Sequence, residues 1–248
     1  VTPTQRIAWL RIGAESLAIV TSILLAFAID AWWQSRNDRA TEQDILVALL
    51  EEFEQNEVLL AQARAEYETA YMAAIRLLEY LDKGSADIPA SEFQQLIDGV
   101  LMQSGIYLES GAYDSLMASG RLDLIQDEAL RNRLAAWPSY LAEWTEEVEL
   151  DFGFVNDELI PYISRSVRIR NVSDLFEPFP DGQPPPPVPV GPNETGSLQS
   201  TIDSLEFDNL VTYRALHTWY AIRDGETLRA QVAIILDLIG QNLDVDAG

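Results

Sequence analysis

Cysteine is absent from this chain of 248 residues, and histidine occurs once, at position 217. The first absence excludes disulfides, thiolate nucleophiles, zinc–thiolate and iron–sulfur ligation, and covalent haem c attachment. The second removes the di-carboxylate metal bundle, which needs Glu-x-x-His on two helices, because His217 has Arg214 three residues before it. A Ser-His-acid arrangement has no support from this one histidine, and a lone helical His reads as a surface or boundary residue. Positive charge is also scarce. The 16 Lys and Arg face 40 Asp and Glu, and beyond residue 40 the balance is 12 against 37, a net −25. Such a surface repels phosphate backbones and anionic headgroups, so nucleic acid and lipid docking by that part are both disfavoured, and a partner selected by charge is basic. In so acidic a chain, pairs such as Glu51-Glu52 and Glu146-Glu147 arise by abundance and have little diagnostic value.

Glycine and proline are missing from residues 14–83, a stretch made mostly of good helix formers. No β-rich window competes with the helical pattern, and no glycine-rich phosphate cradle follows a strand. The expected class is all-α. An N-terminal transmembrane helix continues into a long helix, and an extramembrane antiparallel helical bundle carries a Pro-rich irregular insert.

What is present begins with an almost wholly apolar run over residues 12–29, bracketed by Trp9 and by Trp32 and Trp33. From Trp9 to Trp32 a helix rises roughly 35 Å, about the separation of the two interfaces where tryptophans settle. The run is longer than a usual signal core and leads into Asp-Ala-Trp-Trp-Gln with no small-x-small exit, so a retained anchor is expected over a cleaved signal peptide or a buried core helix. Trp9, Trp32 and Trp33 are the expected interface anchors. Glu15 and Asp30 are candidates for intramembrane helix contacts, with interfacial solvation as the alternative, because an acid inside a span is costly. Arg6 and Arg11 precede the run without an acid between them, whereas acids surround Arg36 and Arg39. The short N-terminus is therefore expected inside and the acidic domain in the periplasm, as a single-pass protein of the bacterial inner membrane.

Beyond the anchor, one seven-residue register runs through Leu46, Phe53, Leu60, Tyr67, Ala74 and Leu81, and the other through Leu49, Asn56, Ala63, Ala70 and Leu77. Only Asn56 breaks the apolar seam. Further apolar residues beside it widen the stripe, which fits a multi-helix bundle better than parallel dimerisation, the second reading. Shorter helices are expected from Pro89 to about Gln103, around Tyr113 with a stop at Gly120, and from the cap Asp127 onward through a kink at Pro138. Trp137, Trp144 and Trp219 are assigned to the core. A last helix, capped by Asp203, is expected to face the bundle with Leu210, Tyr213, Leu216 and Tyr220, and to be locally loosened at Gly225. Residues 177–192 include Pro184, Pro185, Pro186 and Pro187 and suit polyproline II or irregular structure. They form either a partner-docking arm or a long surface connection. The resulting division is 1–38 for the N-terminal segment and span, 39–170 for the first part of the bundle, 171–200 for the Pro-rich arm and 201–248 for the last helix.

Two segments carry a resemblance. Residues 15–20 and 29–33, followed by Arg36, together with Tyr113-Asp114-Ser115-Leu116, Ser119-Gly120-Arg121-Leu122, Leu124-Ile125 and Leu130-Arg131, resemble a group of uncharacterised bacterial single-span membrane proteins with a helical extramembrane domain. The resemblance covers the anchor and about half the domain, and it implies an anchored helical domain and supplies no activity; no cofactor is expected. The expected role is a non-catalytic accessory subunit that stabilises other integral-membrane subunits of a larger complex. Val1 at the head of the sequence, as literal translation of a non-ATG start would leave it, directs the expectation toward energy-transducing assemblies, photosynthetic reaction-centre–antenna or respiratory. The alternative is a periplasmic sensor or signalling module that dimerises through its long helix.

Overall fold

The computed structural model describes residues 3–83, 88–166, 168 and 203–245, and the side chains of residues 3–16, 18, 90, 166, 244 and 245 lie outside that description. The described residues are all-α. α1 (Pro3–Lys83) is one uninterrupted helix of 81 residues, about 120 Å long, as the lack of glycine and proline after residue 13 predicts. α2 (Ala90–Leu101) follows Pro89. α3 (Gly111–Ser119) ends at Gly120, whose φ of 66° is the left-handed C-cap conformation that glycine adopts without a Cβ penalty. A 3₁₀ turn (Leu122–Leu124) leads to α4 (Glu128–Phe154), where Asp127 caps the first turn by accepting the Leu130 amide at 2.7 Å. α4 continues through Pro138 without ending there.

After Phe154 the chain winds as a π-turn (Val155–Leu159) and then as α5 (Ile160–Ser166). Pro161 supplies a reason, since a proline inside a helix removes one backbone bond and crowds the preceding turn, which a locally wider turn relieves. α6 (Leu205–Val245) closes the bundle. Its cap is Ser204, whose Oγ accepts the Phe207 amide at 3.0 Å, one residue later than the expected Asp203. The Pro-rich arm with Pro184 to Pro187 lies outside the described residues.

Two core clusters give the helix directions. One gathers Leu46, Leu49, Phe53 and Leu60 of α1 with Leu130, Leu134 and Trp137 of α4 and Leu228, Val232 and Ile235 of α6. The other joins Ala74 and Leu77 of α1 to Phe93 and Ile97 of α2, Leu159 and Ile163 beyond α4, and Phe207 and Val211 of α6. α6 therefore runs antiparallel to both α1 and α4, while α4 runs parallel to α1. α2 lies antiparallel on α1, with Glu92 beside Arg76 and Gly99 so close to Ala73 that a Cβ on Gly99 would stand 2.7 Å from the Ala73 Cβ.

The expected seam is the core. All eleven of its positions except Leu81 are buried, and they are covered within the chain by α2, α4 and α6. Dimerisation through this seam would have to open the bundle. Gly225 is a close-packing position rather than a loose one, since a Cβ there would stand 3.2 Å from Nε1 of Trp144. The assignment of Trp137 and Trp144 to the core holds. Tyr213, Leu216, Trp219 and Tyr220 do not face the core; they lie exposed on the opposite side of α6.

Candidate functional site

Below the bundle, α1 carries a bare apolar stretch. Leu17, Ile19, Val20, Ile23, Leu24, Leu25, Phe27 and Ile29 are each at least half exposed, and every residue from 19 to 37 is exposed. Successive helical residues point about 100° apart, so this exposure covers the whole circumference and no other described element shields it. Among the described residues no helix is long and apolar enough to cross a membrane. Residues 19–29 supply only about 17 Å of apolar helix, and the run read from sequence extends down to residue 12, into side chains outside the description. Trp9 and Glu15 fall in that part. Trp32, at 60% exposure, and Trp33, at 66%, close the stretch at its upper end, and the Arg36 guanidinium lies 5.9 Å from the Trp32 ring centroid. Asp30 is exposed immediately below the two tryptophans.

Immediately above, α1 changes character and clamps the connections of the bundle with polar side chains. The buried Glu42 carboxylate accepts the Gln126 amide at 2.6 Å, just before α4 begins. Glu52 accepts the amides of Ala112 at 2.5 Å and Tyr113 at 3.1 Å, so a carboxylate from a neighbouring helix performs the N-terminal capping of α3, where the free amides and the helix dipole both favour an anion. Asn56, the exception in the seam, is 1% exposed and uses both ends of its amide on Glu109: Nδ2 donates to the carbonyl at 2.8 Å and Oδ1 accepts the amide at 2.7 Å. The link between α2 and α3 is thereby tied to the middle of the long helix.

The deepest polar group is Arg214 of α6, with 0% exposure. Its guanidinium pairs with the buried Asp151 of α4, donates through Nε to the Val100 carbonyl at 2.8 Å, and donates through Nη2 to the Met102 carbonyl. Three helices meet at one planar cation, as the fork geometry of arginine permits. Tyr67 lies near this pair, and burial, followed by the Asp151 charge, pushes its hydroxyl pKa well above the usual tyrosine value. Burial also raises that of Tyr113, whose Oη has no hydrogen-bonding partner among the described residues.

No family model, no curated protein and no solved structure matches this chain. What the site can do must therefore be read from its own geometry. Among the described residues no group of three His, Asp or Glu side chains is placed to hold a metal ion. The void between Leu60, Tyr67, Trp144 and Gly225 is about 10 Å³, the least that admits one water. His217 sits at the bundle boundary with its ring 5.1 Å from that of Phe154, as expected for a helical histidine of this kind. Of the five buried acids among the described residues, Glu42, Glu52 and Asp151 are spent on backbone amides or on Arg214, Asp98 accepts from Gln94 and Asp224 holds Arg223, so each has a structural task already.

Sequence reasoning missed these polar ties. Their signals were an Asn in an apolar seam and an Arg inside the stretch predicted to face the core. In a chain with 40 acids, no pattern marks which carboxylates turn inward.

Proposed function

We propose that the chain is a non-catalytic, membrane-anchored accessory subunit that braces a larger integral-membrane complex from one side. The observation that carries this reading is the apolar helix segment ending at Trp32 and Trp33, exposed around its whole circumference and continuous with the core helix of a packed acidic bundle. Leaving that much apolar side chain in water opposes the hydrophobic effect, and a bilayer or the transmembrane helices of partners relieve it. The proposed span runs over residues 12–29, with Trp9, Trp32 and Trp33 at the interfaces and Glu15 and Asp30 directed to partner helices or headgroups. The acidic bundle is assigned to the periplasmic side of the bacterial inner membrane.

The unbroken course of α1 also favours a second reading, a signalling module that passes a displacement from bundle to span. In that case self-association uses a face other than the Leu46 to Leu77 seam, which the bundle fills. Extraction of native membranes in mild detergent, followed by mass spectrometry of all that travels with the chain, separates the two. Co-purification with integral-membrane subunits in fixed stoichiometry is expected, and a homodimer free of them would sink the accessory-subunit proposal. For orientation, cleavage of residues 177–192 from the cytoplasmic side of sealed vesicles would reverse the assigned topology.

A further inference from the structure

The outward face of α6 carries its own apolar stripe. Tyr213, Leu216 and Tyr220 follow one another at spacings of three and four, with Trp219 beside them and Leu205 just over two turns before Tyr213, and their exposures range from 37% at Tyr220 to 76% at Leu205. The opposite face of the same helix, through Phe207, Val211, Arg214, Thr218 and Ala221, is fully engaged in the core. A helix that is apolar on both faces has a use for the second one, and the spacing of three and four is that of a seam awaiting another helix.

Height and charge identify what covers it. Arg64 of α1 pairs with Glu226 of α6, which sets the level at which the two helices meet. Because α6 is antiparallel, the stripe lies farther from the apolar segment than Arg64, itself about 45 Å of helix above Trp33. Even a tilt of about 40° leaves roughly 35 Å, so lipid does not reach the stripe. The cations beside it are already committed: Arg223 is held by Asp224 at 2.6 and 2.9 Å while lying over the rings of Trp219 and Tyr220, and Arg64 is held by Glu68 and Glu226. The net field presented to an approaching molecule is that of a bundle carrying −25 beyond residue 40, which repels a second copy and attracts a cation-bearing surface.

We infer that the stripe on α6 docks an amphipathic helix of another protein, one with an apolar face flanked by Lys and Arg, well outside the membrane. This rests on the accessory-subunit reading and names the contact by which the bundle grips its partner. The test places the photo-crosslinker p-benzoylphenylalanine at Leu216 of the full chain in native membranes, with a control at Val58 on the exposed side of α1. The expected result is an adduct from position 216 alone, whose cross-linked segment, once sequenced, is a Lys- and Arg-bearing helix of another protein. Leu216→Glu should lower recovery of that protein with the chain at least tenfold, and Val58→Glu should leave it unchanged. An adduct with a second copy, with lipid or with an acidic segment would overturn the inference, as would undiminished recovery with Leu216→Glu. If membrane subunits still co-purify while position 216 captures nothing, this contact is wrong and the accessory-subunit reading stands. A chain that extracts alone overturns both.

Discussion

Replacing Arg214 by methionine keeps much of the side-chain volume and deletes the cation on which α2, α4 and α6 converge. Asp151 would be left as an uncompensated charge in a site where the side chain is 2% exposed. Breaking a buried pair in this way costs about 3–5 kcal/mol. The Val100 and Met102 carbonyls lose their donor as well, at about 1 kcal/mol each, since a carbonyl is the cheaper partner to orphan. The expected loss is therefore about 5–7 kcal/mol, comparable to the whole stability of a modest domain. Asp151→Leu should also be strongly destabilising, because it strands the guanidinium instead. The double variant Arg214→Met with Asp151→Leu strands neither charge, and it should recover at least about 2 kcal/mol relative to the sum of the single changes. Urea unfolding of the full chain in mild detergent, followed by helical circular dichroism, measures all four corners of the cycle. Single variants each within about 1 kcal/mol of the parent and additive in the double would refute the assignment of this pair as a buried, mutually dependent unit.

Asn56→Ala removes both hydrogen bonds to Glu109, and a cost of about 2 kcal/mol is expected, with faster proteolysis between residues 102 and 110 as the local readout; an unchanged cleavage rate would count against the tether. Gly99→Ala places a methyl 2.7 Å from the Ala73 Cβ, and overpacking of about 1–3 kcal/mol should outweigh the helix-propensity gain of about 1 kcal/mol, lowering the melting temperature; a rise would mean that α2 shifts freely on α1. At high pH the sign follows from Tyr67, whose pKa is raised in the folded state by burial and by Asp151. Its contribution is fully present below the unfolded value of about 10 and is lost as pH climbs beyond it. Tyr67→Phe should accordingly move alkaline unfolding to higher pH, and identical midpoints would contradict the argument.

The seam through Leu46, Phe53, Leu60 and Leu77 was legible because seven-residue periodicity in a helix free of glycine and proline marks one buried face, whether a bundle or a second copy covers it. Gly120 and Asp127 were legible for a similar reason, since the end of a helix and its cap are local chemistry. The last helix was harder. α6 has two apolar faces, and periodicity locates faces without saying which one turns inward, so Tyr213, Leu216, Trp219 and Tyr220 were assigned to the wrong side. Arg214, the residue that settles the orientation, reads as a surface charge until its distant partners Asp151, Val100 and Met102 are brought to it. The clamps from Glu42 and Glu52 share that difficulty: each joins a side chain to a backbone amide 60 or more residues away, and nothing local distinguishes them from the acids that face solvent.

Because α1 runs unbroken from Pro3 to Lys83, the azimuth of the bundle about the helix axis is set by residue count alone. Each residue between Trp33 and Glu42 contributes about 100° of rotation and 1.5 Å of height. Adding one there would swing the outer face of α6 by more than a quarter turn relative to Asp30 and the tryptophans while leaving every core contact intact. The short connecting stretch, of which residues 34–37 are exposed, thus works as a phase setting: it determines which direction the bundle faces when the lower helix is held.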